Sequence, residues 1–220
     1  MGWSMFSGKT VWLFDLDDTL YAPQTGFAKA MSLVQHQALA NQLNVTVTEV
    51  KPILTGLVEQ YGGAPFTGLH KTKVIDMDRF IEEGFDLNYS SLKPDLDVLA
   101  YLKVLPGRKV VFTNSPQCHA QKVLKVLGLN SVFDEADIFD VVRLNFESKP
   151  KKSAFEFVLA ELAVAPENCV MIEDSLSNLK VAKDYGMTTV SVYAEGQKPP
   201  YVDIAHTDLK SFLSNVSACV

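Results

Sequence analysis

Cysteine is scarce in this sequence, and the cysteines that occur are far apart. The three are Cys118, Cys169 and Cys219, and no two of them form a Cys-x-x-Cys pair. An odd number of widely spaced cysteines argues against a disulfide framework. The pattern is typical of reduced thiols in an intracellular protein.

Long apolar runs and an excess of positive charge are also missing. No run is long enough to cross a bilayer, and residues 1–6 are too short and too polar for a signal peptide. Phe6 stands where the myristoylation pattern requires Ser or Thr. The net charge of -6 and the pI near 5.2 argue against binding to nucleic acid or to an anionic membrane. These absences predict a cytoplasmic protein with neither partner.

The chain is long enough to bury a hydrophobic core. Its 220 residues are 47% hydrophobic and 21% charged. This composition allows one large domain, or one domain with a smaller insert. The sequence contains no internal repeat and no low-complexity segment.

An apolar stretch that ends in acidic residues stands near the start of the chain. Residues 11–14 have the pattern of a fully buried strand, and Asp15, Asp17 and Asp18 follow directly. Clustered carboxylates repel one another, and burying them without a cation is unfavourable. The acids therefore either turn into solvent as an ordinary loop or surround a metal ion, and this stretch alone leaves both possibilities open.

The segment after this stretch has helical patterns. Apolar residues recur at helical spacing from Phe27 to Ala38, and amphipathic runs cover residues 46–60 and 76–83. Residues 61–68 are rich in glycine and predict a loop. We expect an inserted all-α domain over residues 22–92, with Phe27, Met31 and Val34 in its interior. Residues 1–21 and 93–220 are expected to form the core domain.

From residue 93 onward, strands alternate with helices. Pro94 fits the first turn of a helix, and residues 95–104 are expected to form that helix. The later predicted elements are strand 108–112, helix 117–127, strand 138–142, helix 151–163, strand 169–172, helix 175–185, strand 187–193, a loop at 196–200 and a final helical turn at 209–213. This alternation predicts an α/β fold with a parallel Rossmann-like sheet and helices on both faces.

Polar residues follow three of the predicted strands where each strand ends, and a lysine stands at the start of a later helix. They are Asp15, Asp17 and Asp18, then Thr113, Asn114 and Ser115, then Glu173, Asp174 and Ser175, with Lys149 before Pro150. Ligands bind beyond the carboxyl ends of parallel strands. Carboxylates without histidine or thiolate partners suit Mg²⁺, whereas hydroxyls, an amine and helix N-termini suit phosphate. Together with a surplus carboxylate nucleophile, they indicate phosphoryl transfer from a small phosphorylated metabolite.

In this order the four groups resemble the four motifs of the haloacid dehalogenase-like (HAD) hydrolase superfamily, over about residues 11–192. The helical insert resembles the C1-type cap of that superfamily. The stretches that resemble its pyrimidine 5'-nucleotidase branch are Leu20-Tyr21, Gly68-Leu69-His70 with Lys93-Pro94-Asp95, and Phe112-Thr113-Asn114. The resemblance implies an Mg²⁺-dependent phosphomonoester hydrolase that acts through an aspartyl-phosphate. The implied substrate is a pyrimidine nucleoside 5'-monophosphate or a similar small metabolite.

The resemblance also implies a role for each motif residue. Asp15 would attack the phosphorus, and Asp17 would protonate the leaving oxygen and then activate water. Asp17 would contact the metal through its backbone carbonyl. The implied phosphate-binding residues are Thr113, Asn114 and Lys149, and the implied metal ligands are Asp15, Asp17, Glu173 and Asp174.

Several residues and alternatives stay open. Asn178 is expected to support the metal ligands, and Asp18 to be a solvated or helix-capping acid. Phe66 and His70 either line the substrate pocket or are ordinary loop residues, and His119 is expected to be ordinary. A phosphomutase and a catalytically silent regulatory protein are the alternatives to a hydrolase. Haloacid dehalogenation is disfavoured because it needs neither a metal nor the second acid. The chain is expected to be a monomer or a homodimer.

Overall fold

A parallel β-sheet lies at the centre of the molecule. The computed structural model describes residue 6, residues 8–193 and residues 198–217. The strands of these residues are β1 Val11–Phe14, β2 Arg108–Phe112, β3 Ile138–Phe139, β4 Cys169–Glu173, β5 Thr188–Val192 and β6 Ile204–His206. They lie in the order β3-β2-β1-β4-β5-β6, and every neighbouring pair is parallel.

Helices cover both faces of this sheet. They are α1 Phe27–Leu43, α2 Val47–Tyr61, α3 Pro65–Thr72, α4 Met77–Gly84, α5 Leu96–Val104, α6 Gln117–Leu127, α7 Lys152–Leu162, α8 Leu176–Asp184 and α9 Leu209–Ser217. Alternate residues of a strand point to opposite faces. Trp12 and Phe14 accordingly pack with α5, α6 and α9, whereas Val11 and Leu13 pack with α7 and α8. The predicted α/β fold with a parallel Rossmann-like sheet is confirmed.

Helices α1 to α4 lie between β1 and β2 in the sequence and have a hydrophobic cluster of their own. Leu39, Val50, Leu69 and Phe80 are buried in it. Val141, from the loop after β3, joins this cluster and so ties the insert to the sheet. The insert is helical as predicted, and its boundaries at residues 22 and 92 stay a prediction.

The structure corrects two predictions for the insert. The predicted loop over residues 61–68 is wrong, because α3 begins at Pro65, whose fixed φ suits the first turn of a helix. His70 therefore lies in a helix. Phe27 does not belong to the interior of the insert: its ring packs edge-on against Tyr21 at 5.5 Å and tilted against Tyr89 at 5.1 Å.

Several boundaries after residue 93 also differ from the prediction. Helix α5 begins after Pro94, because the Asp95 carboxylate accepts hydrogen bonds from the backbone N–H groups of the first helical turn. Strand β3 ends at Phe139, because the Asp140 carboxylate accepts hydrogen bonds from two backbone N–H groups that follow it. Strand β6 is missing from the prediction, since its three residues are too few to show a period. The prediction for the last helix also stops at residue 213, halfway through α9.

Part of the prediction lies outside the described residues. Cys219 is one such position, and the predicted loop over residues 196–200 is described only from residue 198. Among the helices of the described ranges, none combines the length and the hydropathy needed to span a membrane.

Candidate active site

The carboxyl ends of β1, β2 and β4 bring the predicted site residues together. The register places Phe14 beside Val111 on one side and Ile172 on the other, so the loops after the three strands start at one level. These loops line a cavity of about 330 Å³. The predicted residues that line it are Asp15, Asp17, Thr113, Asn114, Lys149, Glu173, Asp174 and Asn178.

Three of the carboxylates that line this cavity form an acidic cluster. Asp15, Glu173 and Asp174 each offer an oxygen, and these oxygens lie within 4.8 Å of one another. Burial and the charge of Glu173 raise the pKa of Asp15 to about 7. Burial likewise raises the pKa of Glu173 to about 7 and that of Asp174 to about 6. A set of carboxylate oxygens that resist ionisation until a cation neutralises them fits a hard divalent metal.

Lys149 is the cation that partly neutralises the cluster. Its ammonium nitrogen lies 2.7 Å from Asp15 Oδ1 and 2.8 Å from Glu173 Oε2. The third contact is the carbonyl oxygen of Phe112, at 2.6 Å. Burial alone would lower the pKa of Lys149, but the two carboxylates outweigh it and raise that pKa. The ammonium group therefore stays charged, with one acceptor for each of its three hydrogens.

Two further side chains hold the acidic cluster in place. The amide of Asn178 donates to Glu173 Oε2 at 3.0 Å, so it supports the cluster as expected. Thr19 is buried and its hydroxyl donates to Asp174 Oδ1 at 3.4 Å. Thr19 is not among the predicted site residues. Its position four residues after Asp15 is a signal too common to identify this contact.

The loop after β2 supplies the polar wall of the cavity. The hydroxyl oxygen of Thr113 accepts a hydrogen bond from the backbone N–H of Ser115 at 3.0 Å, which leaves its hydrogen for another acceptor. The side chain of Asn114 is held by the backbone of Lys149, with its oxygen 2.8 Å from the amide nitrogen and its nitrogen 3.0 Å from the carbonyl oxygen. The Asn114 side chain thus holds the backbone of Lys149 in place. A phosphate contact of Asn114 would therefore use its backbone.

Asp17 also lines the cavity, and its carboxylate has three side-chain partners. Oδ1 accepts a hydrogen bond from the Tyr21 hydroxyl at 2.8 Å and lies 2.8 Å from His119 Nε2. Oδ2 accepts from the Ser115 hydroxyl at 2.5 Å. Burial opposes ionisation of Asp17, but the hydrogen bonds from His119, Ser115 and Tyr21 outweigh it and lower its pKa. The expectation that His119 is ordinary is therefore wrong.

Asp17 and Asp18, the other two predicted acids, lie outside the acidic cluster. The side chain of Asp17 is not part of the acidic cluster, and its contact with a metal through the backbone carbonyl stays a prediction. Asp18 lines neither this cavity nor that cluster. Burial and the neighbouring charge of Asp17 raise the pKa of Asp18.

The turn between α2 and α3 closes one side of the cavity. Gly63 and Ala64 line it, and the Ala64 N–H donates to the Ser148 hydroxyl oxygen at 2.7 Å. A Cβ on Gly63 would lie 2.7 Å from that same oxygen, and the φ of Gly63 is +74. Only glycine fits this position without a shift. Neither residue is among the predicted site residues, because their place depends on how α3 packs against the loop before Lys149.

A smaller cavity of about 160 Å³ continues from the site into the insert. Ala64 and Asn114 line both cavities. Its apolar lining comes from Met31, Leu39, Leu54, Pro65, Phe66, Leu69 and Phe80, and its polar lining from Gln35, His36 and Ser115. His70 lines neither cavity and instead stacks on Phe146 at 4.3 Å.

Comparison with known proteins identifies the family. The family model for haloacid dehalogenase-like hydrolases matches residues 10–186, which include all four groups of site residues. The chain belongs to this family. HAD proteins with solved structures share its fold: CbbY from Rhodobacter sphaeroides, solved with phosphate, superposes with a TM-score of 0.65 at 19% identity, covering 93% of this chain and 96% of that one.

Two curated relatives match this HAD chain over most of its length. Phosphate metabolism protein 8 of Saccharomyces cerevisiae is 28% identical over 198 residues, which cover 81% of this chain but only 60% of the yeast protein. Phosphoglycolate phosphatase of Neisseria gonorrhoeae is 30% identical over 200 residues, covering 81% of this chain and 78% of that enzyme.

Proposed function

We propose that this protein is a Mg²⁺-dependent phosphomonoester hydrolase that acts through an aspartyl-phosphate. The observation that carries the proposal is the place of Asp15, which belongs to the acidic cluster and contacts the Lys149 ammonium, with the Asp17 carboxylate in the same cavity. The phosphatase name of the Neisseria relative supports the same activity.

The residues present fit the predicted metal. Carboxylates of Asp15, Glu173 and Asp174 and the backbone carbonyl of Asp17 would hold Mg²⁺, which prefers oxygen ligands and keeps several waters. When bound, the ion screens the attacking carboxylate and the phosphate from each other and offsets charge that develops on the phosphoryl oxygens. Thr113 and the backbone of Asn114 would bind the other phosphate oxygens, and the charge of the Lys149 ammonium would neutralise part of the phosphate charge.

Asp15 and Asp17 have different roles in the reaction: Asp15 is the nucleophile, and Asp17 transfers protons. An oxygen of Asp15 attacks phosphorus as the bond to the leaving oxygen breaks, and that oxygen takes a proton from Asp17. Water then attacks the phosphorus of the aspartyl-phosphate, gives its proton to Asp17, and releases phosphate from Asp15. Proton transfer by a positioned group of this kind contributes about 10²–10⁴-fold to the rate.

We propose that the substrate is a pyrimidine nucleoside 5'-monophosphate. The smaller cavity favours a substrate with a flat organic group. Its walls are mainly apolar, and Gln35 and His36 add hydrogen-bonding groups that suit the edge of a base. A small phosphorylated acid, as in the name of the Neisseria relative, is the second candidate. It would gain little from these apolar walls. In this proposal helices α1 to α4 act as the cap over the site.

The test is hydrolysis of p-nitrophenyl phosphate with Mg²⁺, with EDTA, and by Asp15→Asn. We expect EDTA or Asp15→Asn to remove the activity. Asp18→Asn, the same change three residues away, is the matched control and keeps most of it. Activity that survives EDTA or Asp15→Asn would refute the mechanism, and an inactive wild type would favour a silent regulatory protein.

Substrate choice requires a second experiment. Release of phosphate is compared for UMP, CMP, AMP, phosphoglycolate and hexose phosphates under one set of conditions. A preference for UMP and CMP supports the proposed substrate, and a preference for phosphoglycolate or a sugar phosphate contradicts it. Transfer of label from a sugar bisphosphate without release of phosphate would instead indicate a phosphomutase.

A further inference from the structure

The buried ring of His119 joins Asp17 to both ends of the helical insert. Its Nε2 lies 2.8 Å from Asp17 Oδ1, and its Nδ1 lies 3.0 Å from the Tyr89 hydroxyl oxygen. Phe27 stacks on the ring at 6.0 Å with an interplanar angle of 8°, and Phe85 packs tilted at 5.1 Å. Phe27 is the first residue of α1, and Phe85 and Tyr89 follow α4. The ring is thus held by the segments through which the insert joins the core.

The hydrogen bonds around Asp17 are unequal on its two oxygens. Oδ1 faces two donors, the Tyr21 hydroxyl and His119 Nε2, whereas Oδ2 has the Ser115 hydroxyl as its one partner within the described ranges. An ionised carboxylate only accepts hydrogen bonds, so His119 carries a hydrogen on Nε2, while its Nδ1 contacts the Tyr89 hydroxyl. Each carboxylate oxygen accepts about two hydrogen bonds. Oδ1 is therefore saturated, and Oδ2 has one acceptor position left.

We propose that His119 is a positioning residue that keeps the transferable proton of Asp17 on Oδ2; this rests on the proposed function. A proton on Oδ1 would face two donors and displace at least one of their hydrogen bonds. A proton on Oδ2 preserves both, because the Ser115 hydroxyl can turn and point its hydrogen elsewhere. Proton transfer then occurs at a single oxygen.

The assignment gives each reaction step one proton path. As Asp15 bonds to phosphorus and the bond to the leaving oxygen breaks, the Oδ2 proton moves to that oxygen. When water attacks the aspartyl-phosphate, Oδ2 takes the water proton and the Asp15–phosphorus bond breaks. His119 keeps its Nε2 hydrogen throughout and neither gains nor loses a proton.

The test compares two substrates that differ only in their leaving group. Phenol is the more basic leaving group and needs proton donation more than 4-nitrophenol does. The variants are His119→Leu, which removes the donor, His119→Gln, which retains an N–H, and Tyr89→Phe, which removes the partner of Nδ1. Tyr185→Phe is the matched control, since that hydroxyl bonds to Glu156 at the protein surface.

We expect His119→Leu to lower kcat/KM for phenyl phosphate about tenfold more than for 4-nitrophenyl phosphate, as part of the 10²–10⁴-fold range of acid–base catalysis. His119→Gln should recover most of this difference, Tyr89→Phe should show a smaller one, and Tyr185→Phe none. Equal losses on the two substrates would overturn the inference, because a purely structural histidine affects both alike.

Folding and the proposed function are controlled separately. If His119→Leu does not fold, Tyr89→Phe decides: a selective loss on phenyl phosphate supports the inference, and a wild-type ratio overturns it. An inactive wild type, or activity in Asp15→Asn, overturns the proposed function and the inference with it. An active wild type with unselective variants overturns the inference alone.

Discussion

The ammonium nitrogen of Lys149 lies 2.7 Å from Oδ1 of Asp15, and both groups are buried. The contact fixes the rotation of the carboxylate that we propose as the nucleophile. It also stabilises the fold, because the same ammonium group contacts Glu173 and the backbone of β2. Lys149 therefore orients the proposed nucleophile and neutralises part of the charge of the acidic cluster.

We expect Lys149→Met to destabilise the protein strongly as well as to inactivate it. Removing one partner of a buried ion pair leaves uncompensated charge, and the usual loss is about 3–5 kcal/mol. Urea unfolding at neutral pH measures the change. The matched control is Lys152→Met, at an exposed position of α7, where a surface substitution changes stability by less than about 0.5 kcal/mol. Equal effects of the two substitutions would contradict the structural role of Lys149.

Without a divalent metal, the protein should become less stable as pH rises from about 5 to about 8. Asp15 and Glu173 have pKa values raised to about 7. The folded state therefore holds protons that an unfolded carboxyl, with a pKa near 4, releases. The stabilisation is complete below about pH 4 and is lost as pH rises through the folded-state pKa.

Thermal unfolding with EDTA and with Mg²⁺ at several pH values checks this dependence. Mg²⁺ should raise Tm more at high pH, since it binds the ionised carboxylates, and at 100 times its Kd it adds about 2.7 kcal/mol. Asp15→Asn removes one of these carboxylates, so both the pH dependence and the Mg²⁺ shift should shrink. A metal-free Tm that rises between pH 5 and pH 8 would contradict the prediction.

Residues that follow apolar strands were predictable because the signal is local. Asp15, Thr113 and Asp174 each come directly after or within one residue of a strand that the sequence shows plainly, and parallel strands bring such positions to one edge. The place of Lys149 at the start of a helix, together with the family resemblance, predicts that it is a site residue. Neither route required any knowledge of side-chain packing.

The contacts of His119 and Gly63 could not be predicted in the same way. His119 is 102 residues from Asp17 in the sequence, and its role depends on how α6 and the ends of the insert meet. Gly63 stands in a glycine-rich stretch that resembles an ordinary loop. Its approach to Ser148 exists only because α3 begins two residues later and packs on the loop before Lys149.

Gly63→Ala should impair activity more than stability. The added Cβ would lie 2.7 Å from Ser148 Oγ and 3.0 Å from Thr67 Oγ1, at a φ of +74 that disfavours alanine. The turn that lines the cavity must shift, so KM should rise. Gly63→Ala combined with Ser148→Ala should recover part of the loss, because it removes the nearest atom. Gly56→Ala is the matched control, since nothing lies within 4 Å of that position in α2, and it should add about 0.5–1 kcal/mol of stability.

Narrowing the smaller cavity should discriminate among substrates by size. Leu54 lines that cavity from α2, and its side chain is half-buried. Leu54→Trp fills space that the proposed base would occupy, while it leaves the acidic cluster and Lys149 untouched. We expect KM for UMP to rise about tenfold, which corresponds to about 1.4 kcal/mol. The kinetic constants for acetyl phosphate, which has no group large enough to enter the cavity, should stay close to those of the wild type.

Leu33→Trp separates the effect of cavity volume from that of adding a large ring to the insert. Leu33 is 61% exposed on α1 and lines neither cavity, so both substrates should be hydrolysed by this variant as by the wild type. If Leu54→Trp raises KM for acetyl phosphate as much as for UMP, the substitution disturbs the phosphate site itself. If it changes neither KM, the leaving group of UMP does not enter the smaller cavity, and the proposed pocket is wrong.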